Sequence, residues 1–354
     1  MAVTSPSAAD ILARFRDGKA PALARAISWV ENERDGFQDL LDDVLRSGPR
    51  TCRIGFTGPP GAGKSSLLAD MAGAYRKRGD RLGIVAVDPT SPYSGGALLG
   101  DRIRMNELST DPGIFIRSMA TRGSLGGLAT TTKEVIDLMD AFGFDRVLVE
   151  TVGVGQTELE ITGATETVVV VLVPESGDGV QAMKAGLMEI ADVFVVNKAD
   201  RPGAERLLKE IRQAIHLRAG SALQDVPAHH GVDLSRVGRI ARAREPHESG
   251  GWTIPVLKTV AQTGEGVPDL LDAVDRHRAW LERSGELERR RRERARIRVR
   301  DVVDRELRRT AWASSVSGAT LEAGLDDIVR GEATPYSVAR RILAALLSER
   351  SPAR

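Results

Sequence analysis

The run Gly58-Pro59-Pro60-Gly61-Ala62-Gly63-Lys64-Ser65 fits the pattern G-x-x-x-x-G-K-[ST], and its two flanks decide what it means. Upstream, Cys52-Arg53-Ile54-Gly55-Phe56-Thr57 suits a short buried strand, while downstream Ser66-Leu67-Leu68-Ala69-Asp70-Met71 places apolar residues at helical spacing. Strand, glycine loop and helix in that order make a phosphate-binding loop. Its glycines let backbone N–H groups curl around a polyphosphate, and the helix N-terminus adds the positive end of its dipole. Lys64 reaches the terminal phosphates and Ser65 offers a hydroxyl to Mg2+, so residues Gly58 through Ser66 are the expected phosphate contacts.

Further strand-like runs, Leu82 to Val87, Gly113 to Ile116, Arg146 to Val149, Thr167 to Val173, Val193 to Val196 and Ile254 to Thr259, alternate with helical ones. They are too apolar for a half-exposed sheet. The expected fold is α/β, a P-loop nucleoside triphosphatase with a mostly parallel sheet flanked by helices. Apolar residues at helical spacing from Ala8 to Leu45, broken at Gly48-Pro49, predict a helical N-terminal extension over 1–49 and a core over 50–283. The core should close with a helix over Val267 to Leu281, opened near Gly264-Glu265-Gly266.

Beyond Ser284 the composition shifts, with eight arginines between Arg289 and Arg300 and with Val303 and Leu307 at helical spacing. Acidic neighbours offer i,i+4 pairs and no aromatic interleaves the arginines, so a solvated helix face with an apolar stripe is expected, not a nucleic-acid arm. Helical patterns over Leu321 to Val329 and Ser337 to Leu347 complete a helical region, 284–354, whose expected use is homodimerisation. With 50 Lys and Arg against 49 Asp and Glu, the net charge of +1 gives no general attraction to nucleic acid or an anionic membrane. A single cysteine, Cys52, excludes an internal disulfide framework and reads as a small buried strand residue. No signal peptide or membrane span is evident, and a cytoplasmic location is expected.

Asn197-Lys198-Ala199-Asp200 follows the strand Val193 to Val196, where a guanine-reading N-K-x-D belongs. A carboxylate there accepts hydrogen bonds from the guanine N1–H and exocyclic amine, a donor pair that adenine lacks. Val260-Ala261-Gln262, after the strand Ile254 to Thr259, stands where the last guanine-contacting loop belongs, although its usual first residue is Ser. Metal-site carboxylates are expected at strand ends near the phosphates: Asp88, Glu150 and, in a Gly- and Ser-rich segment, Asp101. Glu150 opens Glu-Thr-Val-Gly, where an ordinary G protein has Asp-x-x-Gly.

Longer motifs carry a resemblance. Asp88-Pro89-Thr90-Ser91, Gly95 to Met105, Arg117 to Gly127, Glu150 to Gln156 and Asn197 to Asp200 occur in order, and together they resemble the MeaB/ArgK-type GTPases over residues 50 to 280. The resemblance implies a GTPase chaperone of adenosylcobalamin-dependent methylmalonyl-CoA mutase or a related acyl-CoA mutase. Such proteins are homodimers that use GTP hydrolysis to gate cofactor loading and protect the mutase. It also implies that Ser65, Asp88, Asp101 and Glu150 hold Mg2+. The segment Pro174 to Lys184 is similar to an extra switch that answers the mutase, with Asp178, Gln181 and Lys184 at its informative positions. The chain carries no D-x-H-x-x-G motif, so cobalamin is not expected to bind it directly.

The chemistry expected is phosphoryl transfer from GTP to water, leaving GDP. Gln156 lies three residues beyond Gly153 and is the candidate for orienting that water, while Lys184 can bring positive charge as an arginine finger does. Two other classes stay open at this point. A metallochaperone GTPase would share the core, and a P-loop kinase or transport ATPase would share the phosphate loop.

Overall fold

Seven Val- and Ile-rich runs become seven parallel strands, because each is apolar on both faces and is satisfied only when helices cover both. The computed structural model describes residues 7–88, 108–120, 130–151, 160–174, 186–220 and 251–349. Its strands are β1 (Cys52–Thr57), β2 (Leu82–Asp88), β3 (Ile114–Ala120), β4 (Arg146–Glu150), β5 (Thr167–Leu172), β6 (Val193–Val196) and β7 (Val256–Lys258). They pair in the order β3-β2-β4-β1-β5-β6-β7. The register sets Phe56 beside Glu150 and Thr57 beside Val170, and it pairs Leu172 with Val196 and Val196 with Lys258. The C-terminal ends of β1, β4, β5, β6 and β7 therefore reach one edge, where ligands gather in such sheets.

Helices α4 (Lys64–Lys77) and α8 (Val267–Arg283) share one core layer with Ile54, Phe56, Leu148 and Val169, and α5 (Thr130–Phe142) covers the other side. The first three helices, α1 (Ala8–Arg16), α2 (Ala20–Glu31) and α3 (Phe37–Leu45), bury Phe15, Leu23, Ile27 and Leu40 in the same cluster as Val135 and Met139 of α5. The Ser7 side chain caps α1, with Asp10 completing a reciprocal capping box. Beside β5 and β6, α6 (Leu187–Ile190) and α7 (Ala204–Gly220) bury Leu187, Ile190, Leu208 and Ile211.

The opposite sheet edge is held by charge. Glu166, fully buried just before β5, accepts from Arg278 of α8 and from Arg291 at 2.9 Å and Arg294 at 3.1 Å of α9 (Glu286–Ala313). Asp192, just before β6, accepts from both terminal nitrogens of Arg290 at 3.0 and 3.1 Å. The expectation of a solvated arginine face is thus corrected: Arg290, Arg291 and Arg294 turn inward because two strand-leading carboxylates lie buried beneath the helix. Burial alone would push the Glu166 carboxyl up, but Arg294, Arg278 and Arg291 overcome it and hold the group below the usual range. Burial, with the Arg53 guanidinium nearby, brings Arg294 down to about 10.

The chain forms two compact units, 1–294 and 295–354. In the second, α10 (Ser315–Val329) and α11 (Pro335–Glu349) pack together, and a Cβ at Gly324 would meet the Val338 methyls at 2.7 Å. Val299, Val303 and Leu307 form an exposed stripe on α9, and Leu343 and Leu347 another on α11. No helix among the described residues is long and apolar enough to cross a membrane.

Candidate nucleotide-binding site

The phosphate loop joins β1 to α4 through backbone that favours glycine. Gly58 has φ +133° and lies so close to β5 that a Cβ would sit 2.0 Å from the Val171 carbonyl oxygen. Gly63, at φ +83°, leads directly into α4, and a Cβ there would meet the Asn197 side-chain amide at 2.4 Å. These two contacts fix which strands the loop must pass. Pro60 and Gly61 are exposed at its crest, Pro59 and Ser66 are half-buried, and Ala62 is fully buried.

Lys64 is nearly buried and arches over the loop, its Nζ donating to the carbonyls of Gly58 at 2.9 Å and Pro59 at 3.1 Å. Next to it, the Ser65 hydroxyl donates to Glu150 Oε1 at 2.7 Å, and both side chains are at least 95% buried. A hydroxyl and a carboxylate at that separation are hard oxygen donors of the kind Mg2+ takes alongside phosphate oxygens. Glu150 closes β4 beside Phe56, and Asp88 closes β2 two residues past the Ala86–Glu150 pair. Among the described residues no group of three His, Cys, Asp or Glu side chains could hold a metal by itself. Asp101, Gln156, Asp178, Gln181 and Lys184 lie outside the described residues.

Asn197 joins the two halves of the site. Its Nδ2 donates to the Ala62 carbonyl at 2.9 Å, while its Oδ1 accepts from the Thr259 hydroxyl at 3.1 Å and the Ala261 N–H at 3.2 Å. Buried to 99%, this side chain is committed to protein, whereas Asp200, three residues further on, is exposed. Lys198 adopts φ +55°, and the Ala199 N–H donates to the Thr259 carbonyl at 3.1 Å, so the N-K-x-D loop and the loop at 260–262 are tied together. Val260 is buried, Ala261 half-buried and Gln262 exposed. Thr259, Thr57 and Thr151 escaped the sequence reading, because a threonine at a strand end carries no signal of its own. Cys52, by contrast, behaves as read: burial pushes its thiol up to about 11.

A glycine loop wrapped against β5, a lysine and serine at its end, a carboxylate from the adjacent strand and an asparagine-tied base loop together define a P-loop nucleoside triphosphatase of the guanine-reading kind. Comparison with known proteins narrows this. The family model for the methylmalonyl-CoA mutase-associated GTPase MeaB matches residues 23–316, and the chain belongs to that family. A protein of Pyrococcus abyssi that carries a provisional GTPase name is 41% identical over 342 residues, covering 96% of each chain. The mitochondrial methylmalonic aciduria type A homolog of Mus musculus is 36% identical over 284 residues, covering 76% of this chain and 63% of its own. The crystal structure of an LAO/AO transport system kinase aligns with 98% of this chain and all of its own, at a TM-score of 0.65 and 24% identity, which speaks to fold alone. The protein is a GTP hydrolase.

Proposed function

We propose that this chain is a homodimeric, Mg2+-dependent GTPase serving an adenosylcobalamin-dependent acyl-CoA mutase, methylmalonyl-CoA mutase or a close relative. It gates loading of the mutase cofactor and protects the mutase from inactivation, acting in the cytoplasm and without binding cobalamin itself. One observation carries the hydrolytic part: Ser65 is bonded to Glu150 while Ala62 of the same loop is bonded to Asn197. These bonds support the reading by tying the groups assigned here to phosphate, metal and base to a single loop. The mutase part is supported by the family description, which names a mutase-associated GTPase. The exposed stripe Val299, Val303 and Leu307 favours a homodimer, since an apolar row of that kind is normally covered by a partner.

In this reading the loop amides cradle the phosphates, and Lys64 exchanges its carbonyl partners for phosphate oxygens. Asp200 accepts from the guanine N1–H and amine. Ser65, Glu150, Asp88 and Asp101 would hold Mg2+, which when bound neutralises charge on the phosphate oxygens. Gln156 orients the attacking water, and Asp178, Gln181 and Lys184 form the switch that answers the mutase.

Two measurements test the assignment. GTP should bind about a hundredfold more tightly than ATP, a preference that Asp200→Asn removes. Immobilised protein should retain a cobalamin-dependent mutase from the same cell in amounts that differ between GDP and a non-hydrolysable GTP analogue. Failure to retain a mutase in either state would end the partner reading.

A further inference from the structure

Strands β1 and β4 are neighbours, and they release the phosphate loop and the Glu150 segment at the same edge. Immediately beyond Glu150, Thr151 turns back onto β1. Its N–H donates to the Phe56 carbonyl at 3.0 Å, and its hydroxyl donates to Thr57 Oγ1 at 3.0 Å, with the Phe56 carbonyl a longer alternative at 3.4 Å. Thr57 is 0% and Thr151 1% exposed. Buried hydroxyls are costly unless bonded, and valine would fill the same branched shape at a strand end without that cost. Packing therefore does not require hydroxyls here. What they add is a directional bond between the last residue of β1 and the first residue past β4.

That bond lies between the two groups whose separation matters. Thr57 directly precedes Gly58, and Thr151 directly follows Glu150, whose carboxylate meets Ser65 Oγ at 2.7 Å. Glutamate has one more rotatable carbon than the aspartate usual at this place, so its carboxylate has an extra torsion to fix, and any looseness in the backbone beneath it adds to that freedom. We infer that the Thr57–Thr151 hydroxyl pair is a positioning latch that sets Glu150 against Ser65 at the metal-binding end of the site. The inference rests on the Mg2+ site proposed above. Both threonines are buried and bonded to each other, so in this reading they are positioning residues that act through Glu150.

Thr151→Val and Thr57→Val remove the hydroxyls and keep the shape. The Mg2+ concentration needed to tighten binding of a fluorescent non-hydrolysable GTP analogue should rise about tenfold in each, and kcat should fall about tenfold with KM within a factor of two. Thr151→Ser should restore both, and the double variant should be no worse than either single one, because one bond is lost once. If Thr151→Val does not fold, Thr151→Cys, a weak donor of similar volume, should show the same shift in smaller measure. Glu150→Gln separates the claims. If it raises the Mg2+ requirement while the threonine variants behave as wild type, the latch is refuted and the metal reading stands. If Glu150→Gln itself leaves the Mg2+ requirement unchanged, the metal reading fails and the latch with it.

Discussion

Replacing Glu166 by Gln keeps the volume of the side chain and removes the charge that three guanidiniums share. Arg278, Arg291 and Arg294 all point at this fully buried carboxylate, and their side chains are only 18, 18 and 10% exposed. Without it Arg294, the most buried of the three, loses its one carboxylate ion pair among the described residues and keeps only the weaker, more distant attraction of Asp137. Removing one member of a buried ion pair typically costs about 3–5 kcal/mol, and the partial exposure of Arg278 and Arg291 argues for the lower half of that range. For a unit of this size about 3 kcal/mol lowers Tm by roughly 5 °C. The pH dependence gives a sharper check. Glu166 titrates below its unfolded value, so its contribution is complete above about pH 4.3 and fades as pH falls through the lower folded value. The stability gap between wild type and Glu166→Gln should therefore be full at pH 7 and shrink on acidification, as the wild-type carboxyl itself becomes neutral. Urea unfolding followed by tryptophan emission at pH 7 and at successively lower pH would measure it. A variant within about 0.5 kcal/mol of wild type at pH 7, or a gap that widens with acid, would refute the reasoning.

Gly58→Ala should abolish GTP binding while the sheet still forms, since the added methyl would collide with the Val171 carbonyl in a backbone conformation that alanine disfavours; calorimetric titration and circular dichroism together read both halves. Asn197→Ala should weaken GTP binding at least about tenfold and lower stability by about 2–3 kcal/mol, because it leaves the Ala62 carbonyl, the Thr259 hydroxyl and the Ala261 N–H without their shared partner. Titration with GTP and urea unfolding of the nucleotide-free protein check the two effects.

What the sequence conveyed followed burial. Cys52–Thr57 and Val193–Val196 occupy the expected positions because central parallel strands must be apolar throughout. At the sheet's margins the pattern weakens. Beyond Ile116, β3 continues to Ala120 through Arg117 and Ser118, an edge stretch where Arg117 pairs with Glu31 of α2 and hydrophobicity is not needed. At the other margin β7 begins at Val256, two residues later than expected, after Pro255, which has no N–H to give a ladder. The inward turn of Arg290, Arg291 and Arg294 was illegible for another reason. A helix rich in arginine looks solvated unless one knows that Glu166 and Asp192 lie beneath it, and those carboxylates stand about a hundred residues away. In the site, glycine spacing and Asn197 to Asp200 were readable as motifs. The bonds that join them, from Asn197 to Ala62 and from Thr151 to Thr57, depend on strand order.

GTP turnover measured with and without the purified mutase tests the functional account most directly. A slow intrinsic rate that rises at least about tenfold on adding the mutase, and a Lys184→Ala variant that binds GTP normally but shows no rise, is the predicted result. Equal rates in the presence and absence of the mutase would contradict it.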